Sequence, residues 1–205
     1  MYNLTVPMAL VDLIPVICFG IAALILQRDL HGKMRSGAFA LFAGGTIDIF
    51  TAGFLKAAWK LMYAAGICDF QALNTLFLPL QSIGFLMAGI GSILLLCGKA
   101  KKASVFAAAP PVFSGSFVFI GMMVLGLGSI CTVLSMLAVR IKKHGAIALF
   151  AAAFVCSMAM GYMASQDSTQ AWVNWVEEGI NCVSQGCLLG GVFVLHKAGL
   201  KNLEL

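Results

Sequence analysis

Charge is what this 205-residue chain has least of: 10% of its residues are charged, eight acidic and thirteen basic, against about 25% in soluble domains. With a hydrophobic fraction of 61% and a mean hydropathy of +0.98, that scarcity excludes an ordinary water-soluble domain. Long polar connections are also missing, so the chain reads as one polytopic membrane domain over 1–205 with no large extramembrane part. Organised cysteine chemistry is missing too. Cys18, Cys68, Cys97, Cys131, Cys156, Cys182 and Cys187 form no CxxC pair, have no histidine at ligand spacing and are odd in number. Most fall inside apolar runs, where cysteine packs as a small hydrophobe. No GxSxG or HExxH motif is present. His31, His144 and His196 fall at the ends of apolar runs beside basic residues and read as interface groups. No enzyme, cofactor or metal site is expected, and no lysine sits midway along the last apolar run to carry a retinal-type Schiff base. No basic segment precedes the first apolar run and no small-residue cleavage site follows it, so that run is expected to be a retained span.

The few charges are placed with regularity. Eleven of the thirteen bases fall in four clusters between apolar runs: Arg28/Lys33/Arg35, Lys99/Lys101/Lys102, Arg140/Lys142/Lys143 and Lys197/Lys201. Basic loops stay cytoplasmic, so the +5 net charge reports topology rather than a nucleic-acid partner. A helix needs about 20 apolar residues to cross a bilayer. Six stretches meet that: 8–27, 37–63, 72–98, 117–139, 145–165 and 171–196. For both the second and third clusters to be cytoplasmic, the region between them must cross twice. This predicts a short span at 103–114, broken by Pro110-Pro111, before the one at 117–139. The expected fold is an all-α integral membrane protein of seven transmembrane helices, with the N-terminus outside and the C-terminus cytoplasmic. Short loops and a basic inner face suit the plasma (inner) membrane of a prokaryote.

An internal repeat is visible at two helix starts. Gly37-Ala38-Phe39-Ala40-Leu41-Phe42-Ala43 and Gly145-Ala146-Ile147-Ala148-Leu149-Phe150-Ala151 differ at one position, each follows a basic cluster, and Gly53 meets Gly161 at the same offset. Gln81 meets Gln185 after a four-residue shift. The expectation is a parallel 3+1+3 repeat with the short fourth helix as the inverting linker. Parallel repeats occur in transporters, including the sugar-carrying SWEET proteins. The adjacent proline–glutamine pair of PQ-loop proteins is absent, and the likeness is one of architecture alone. Small residues at close spacing, among them Gly44-Gly45, Gly84/Ala88, Gly89/Gly91, Gly126/Gly128 and Gly190-Gly191, allow close helix contacts in lipid.

Ionisable and amide groups inside spans are costly, which makes them functional candidates. In the last span Asn174, Glu178, Asn181 and Gln185 fall on one helical face. Such a stripe should line a pocket, although interhelical hydrogen bonding also uses these residue types. The second span carries Asp48 near its middle and Lys56 and Lys60 near its outer end. Lys60 is expected to snorkel to the interface, and Lys56 to reach Glu178 or to snorkel likewise. Asp48 has no base at its depth and is expected to be neutral, hydrogen-bonded or bound to a cation. Asp12 and Gln81 join the set from the first and third spans. Trp59, Trp172 and Trp175 suit an aromatic belt, with Trp175 also placed to stack on a ligand.

These residues predict a polar funnel from the outer face to the midplane. The expected function is a small secondary transporter or facilitator of a polar small molecule, coupled to protons or cations. Lys56, Gln81, Trp175, Glu178, Asn181 and Gln185 are the expected substrate ligands, and Asp48, Glu178 and Asp12 the coupling groups. The expected partners are the lipid bilayer, the substrate and a second copy of the chain. The alternative is a ligand-binding sensor or accessory membrane subunit, followed by an intramembrane lipid-modifying enzyme.

Overall fold

The computed structural model describes residues 4–96, 116–163 and 171–203. Regular structure among the described residues is entirely helical: α1 Val6–Val11, α2 Leu13–Leu30, α3 Ser36–Ala64, α4 Gln71–Thr75, α5 Phe77–Leu96, α6 Ser116–Arg140, α7 His144–Met163 and α8 Ala171–Lys197, with a short 3-10 turn at Leu200–Asn202. Six segments are long and apolar enough to cross a membrane: Val6–Leu30, Ser36–Ala64, Gln71–Leu96, Phe117–Arg140, His144–Met163 and Trp172–Lys197. The protein is therefore an all-α integral membrane protein, and these spans match six of those expected from sequence. The short span expected at 103–114 lies outside the described residues.

Two of the spans are broken, and proline explains both breaks. Pro15 lacks an N–H for the carbonyl of Val11, and Pro79 lacks one for that of Thr75; each ring also crowds that carbonyl. The helix accordingly breaks at Asp12, between α1 and α2, and at Leu76, between α4 and α5. Asp12 is thus presented at an interruption rather than within a regular turn.

The six spans form a ring. Each packs on its neighbours in the chain, α2 on α3, α3 on α5, α5 on α6, α6 on α7 and α7 on α8, and α8 closes on α2. Glycine sets the closest approaches. A Cβ on Gly84 would stand 2.8 Å from the carbonyl oxygen of Gly45, and one on Gly89 would stand 2.7 Å from the Cα of Gly126. These are backbone-on-backbone crossings that only a missing side chain permits. At one end of the ring, the end that carries Arg28, Lys33, Arg35, Arg140, Lys142, Lys143, Lys197 and Lys201 and is called the basic end, a continuous apolar core seals the middle. Leu30, Ala38, Leu95, Leu137, Ala146, Phe150, Leu195 and Leu200 all belong to it. Leu200 reaches that core because Gly199, at φ 86°, turns the chain back after α8.

Helix directions follow from the contacts. The glycine crossings make α3 and α5 antiparallel, and α7 and α8 are antiparallel because Gly190 meets Leu149 whereas Ser184 meets Ala153 and Ser157. In contrast, α5 and α6 run the same way. Phe77 and Ile120, near their starts, line one cavity, whereas Leu95 and Leu137, near their ends, share the core at the basic end.

The crossing of α5 and α6 gives a first test. Gly126→Val would drive a side chain into the backbone at Phe85 and Leu86. Overpacking of this kind costs about 1–3 kcal/mol. Thermal unfolding in detergent should show that loss for Gly126→Val and almost none for Gly121→Val, whose Cβ meets nothing.

Candidate functional site

Above the apolar core, in the half of the bundle away from the basic end, the ring encloses a cavity of about 490 Å³. All six spans contribute to its lining. On α3, Ile49, Gly53, Lys56 and Lys60 recur at helical spacing and face inward. On α8, Glu177, Glu178, Asn181 and Gln185 do the same. Asp12, Phe19, Gln81, Phe85, Met123 and Leu127 complete most of the wall.

Toward the outer end of the cavity stands an ion triad. The Lys60 ammonium donates to Glu178 Oε1 and stands 3.0 Å from Asp12 Oδ2. It therefore ties the break between α1 and α2 to both α3 and α8. All three groups are buried. One ammonium faces two carboxylates, so the triad carries a net negative charge unless a proton or a cation joins it. The second oxygen of Glu178, Oε2, is buried and meets no donor among the described residues, and the Glu178 carboxyl also lies within hydrogen-bond reach of the Asp12 carboxyl.

Lys60 corrects an expectation. It does not snorkel, because two carboxylates within ion-pair reach replace its water more completely than a stretch toward the interface would. Lys56 does not pair with Glu178 either. Its ammonium rests 4.1 Å from the centroid of the Phe77 ring, and it makes no ion pair among the described residues. Both lysines line the cavity; the sequence pattern singled out only Lys56 as a ligand. The spacing that could have identified Lys60 was available. It lies one helical turn beyond Lys56 and a full stripe from Gly53, on the inward face.

The other expected site residues divide into two groups. Asp12, Lys56, Gln81, Glu178, Asn181 and Gln185 are brought together in the lining. Gln81 Oε1 and Gln185 Oε1 are buried acceptors with no donor among the described residues. Asp48 and Trp175 are elsewhere. A helix turns about 100° per residue, so with Ile49 inward Asp48 turns toward α5, where it packs on Gly84. Trp175 lies on the opposite side of Glu178 from the Glu177–Asn181–Gln185 arc. It is 45% exposed, on the same outer face as Trp172 and Val176. Trp59 is buried rather than a belt residue, and its Nε1 donates to Asp69 Oδ1 at 3.0 Å.

A second polar contact closes the basic end. Asp29 is fully buried, and its Oδ2 lies 2.8 Å from His196 Nδ1. This contact joins α2 to α8, as the triad does at the other end. Gln27 Nε2 donates to Thr46 Oγ1 at 2.7 Å between α2 and α3, and Lys33 donates to the Leu203 carbonyl. The sequence had placed His196 at the interface and had not singled out Asp29. Its pairing needed the fold, since Asp29 and His196 are 167 residues apart.

The lining also has a regular register. Asp12, Pro15, Val16 and Phe19 on the first span match Ile120, Met123, Val124 and Leu127 on the fourth at one constant displacement. The same displacement takes Ile49, Phe50 and Gly53 to Ser157, Met158 and Gly161. A slightly smaller one takes Phe77, Leu78, Gln81 and Phe85 to Glu177, Glu178, Asn181 and Gln185.

Comparison of the chain with protein families, with curated proteins and with solved structures finds no match.

The triad makes its own prediction. Lys60→Met would leave two buried carboxylates without their cation, a change that costs about 3–5 kcal/mol. Replacing the whole triad by apolar groups, with Asp12→Leu and Glu178→Leu added, should recover most of that. Denaturant unfolding in micelles measures both. A triple variant no more stable than the single one would show that the triad is not the source of the loss.

Proposed function

We propose that the protein is a small secondary transporter that moves a small organic molecule through the central cavity. The observation that carries this reading is the placement of the ion triad. Costly ionisable groups from three helices converge inside a cavity ringed by every described span, rather than at a helix seam. Ligand pockets of this size are typical of small-molecule sites, which fall between about 300 and 1,000 Å³. The unbalanced carboxylate of the triad supplies the coupling group. A proton or cation on Asp12 or Glu178 neutralises it, and Lys60 holds whichever carboxylate remains charged. Asp48, outside the lining, has no part in this scheme.

The topology we infer has seven crossings, with the basic end cytoplasmic and the N-terminus outside. Support comes from α5 and α6, which run the same way, so the chain between them has to return across the bundle. The directions of α2, α3 and α5 are then repeated by α6, α7 and α8, as a parallel 3+1+3 repeat requires. The register of the lining positions supports the repeat. It pairs Gln81 with Asn181 instead of Gln185. Two halves related in this way can rock about the central site, the usual basis of alternating access. In this state the apolar core and the Asp29–His196 contact close the cytoplasmic side. A plasma membrane of prokaryotic type fits the compact loops. The sealed core also favours a second reading, a ligand-binding sensor or accessory subunit that carries no flux.

Proteoliposomes enclosing a pH-sensitive dye separate these readings. Addition of amino acids, amines, sugars, nucleosides or vitamins should include a class that drives proton movement with uptake. Glu178→Gln should reduce that movement at least tenfold. Uptake with unchanged pH dependence in Glu178→Gln would remove the coupling scheme. Ligand binding without any flux would favour the sensor.

A further inference from the structure

The cavity is chemically divided, and its unmet groups describe a ligand. Near its rim stand Lys56, Lys60, Asp12, Glu177 and Glu178; deeper, the wall is built from Phe19, Ile49, Phe50, Phe85, Met123 and Leu127. Three buried oxygens, Glu178 Oε2, Gln81 Oε1 and Gln185 Oε1, accept no hydrogen bond among the described residues. Glu178 is 2% exposed. One cation, Lys56, rests on a phenyl face and makes no direct ion pair among the described residues, although Asp12, Glu177 and Glu178 lie within its electrostatic reach. Buried polar groups require partners. The site therefore has room for hydrogen-bond donors at three places, a direct ion-pair partner at one, and an apolar body between.

Several ligand classes meet only part of this. A sugar would set hydroxyls against phenyl and thioether side chains and leave Lys56 without a direct ion-pair partner. A simple amine meets Glu178 but not Lys56. An alkyl acid meets Lys56 and leaves all three acceptors empty. A zwitterion brings both charges at once, next to one another, as Lys56 and Glu178 are at the rim. Glu178 and Gln185 lie seven residues apart on α8, which is about 10 Å along the helix axis. The donor that reaches the glutamines must then sit at the far end of the ligand, beyond its apolar part.

We propose that the cavity binds a zwitterionic α-amino acid with a large apolar ring side chain bearing an N–H, as an indole does. The carboxylate faces Lys56, the ammonium meets Glu178 Oε2, the ring packs against the edge-to-face pair of Phe19 and Phe85, and the ring N–H reaches Gln81 or Gln185. This names the ligand of the site read above as a transporter's. It rests on that reading only for the ligand's passage, not for its binding.

The test is calorimetric binding and thermal stabilisation of the full chain in detergent. The probes are L-tryptophan, L-phenylalanine, L-alanine, tryptamine and indole-3-propionate. L-Tryptophan should bind and raise the melting temperature. Phenylalanine, without the ring N–H, should bind several-fold more weakly, and tryptamine and indole-3-propionate at least tenfold more weakly. Lys56→Met spares the triad and should abolish the preference for tryptophan over tryptamine. Gln185→Leu should narrow the difference between tryptophan and phenylalanine. Tryptamine binding as tightly as tryptophan, tryptophan binding unchanged in both variants, or no binding of tryptophan at all would each overturn the proposal. Tryptophan binding without flux in proteoliposomes would uphold the ligand and remove the transport reading. Flux of a different solute, with tryptophan unbound, would do the reverse.

Discussion

A lysine ammonium shared between two carboxylates in a medium without water is the interaction on which the rest of this structure depends. In the membrane interior an unpaired charge is costly, so Lys60, Asp12 and Glu178 must be held together or abandoned together. The consequence is mechanical as well as electrostatic. The three groups come from the break between α1 and α2, from α3 and from α8. Their pairing fixes how the first and last spans meet and so closes the ring. Its two carboxylates outnumber its one ammonium, so the triad by itself is not charge-balanced.

The remaining features arrange themselves around that constraint. Pro15 interrupts the first span three residues after Asp12 and lets that carboxylate sit at the cavity wall. Glycines on α3, α5 and α6 bring those helices into backbone contact, which draws the second to fourth spans tight on one side. At the basic end the seal is mostly hydrophobic, with Asp29 and His196 as its ionisable contact between α2 and α8. The first and last spans are thus tied by polar contacts at both ends. A change in either contact bears on the same interface.

The cavity lining combines a regular register with uneven chemistry. Positions that correspond in register differ in chemistry. Asp12 is matched by Ile120, Phe77 by Glu177, and Leu78 by Glu178. The matched backbone gives a central space of regular shape, and the mismatched side chains give it polarity. Acceptors and cations are concentrated where α1, α3 and α8 meet, while α6 supplies an apolar wall of Ile120, Met123, Val124 and Leu127. A ligand with one polar end and one apolar body fits that division better than a uniformly polar one.

Much of this was legible before the fold was known, because the membrane restricts what a sequence can do. Apolar run length set six spans correctly. The spacing of Glu178, Asn181 and Gln185 marked the inward face of α8, and glycine spacing marked the close crossings, since helical periodicity is a local property. Three features were not legible. Asp48 and Ile49 are neighbours in sequence, and only packing decides which of the two faces inward. Trp175 was credited to the site because it lies one turn from Glu178, yet the arc of α8 that meets the cavity runs the other way around the helix. Lys56 and Lys60 are alike in sequence, but one rests on a phenyl ring and the other joins two helices. By itself the sequence determined which segments enter the membrane and which residues are too polar to face lipid, because burial in lipid is a demand on each helix alone. Which of those polar residues meet was decided only by the tertiary structure, because an ion pair depends on distances between helices that no single helix contains.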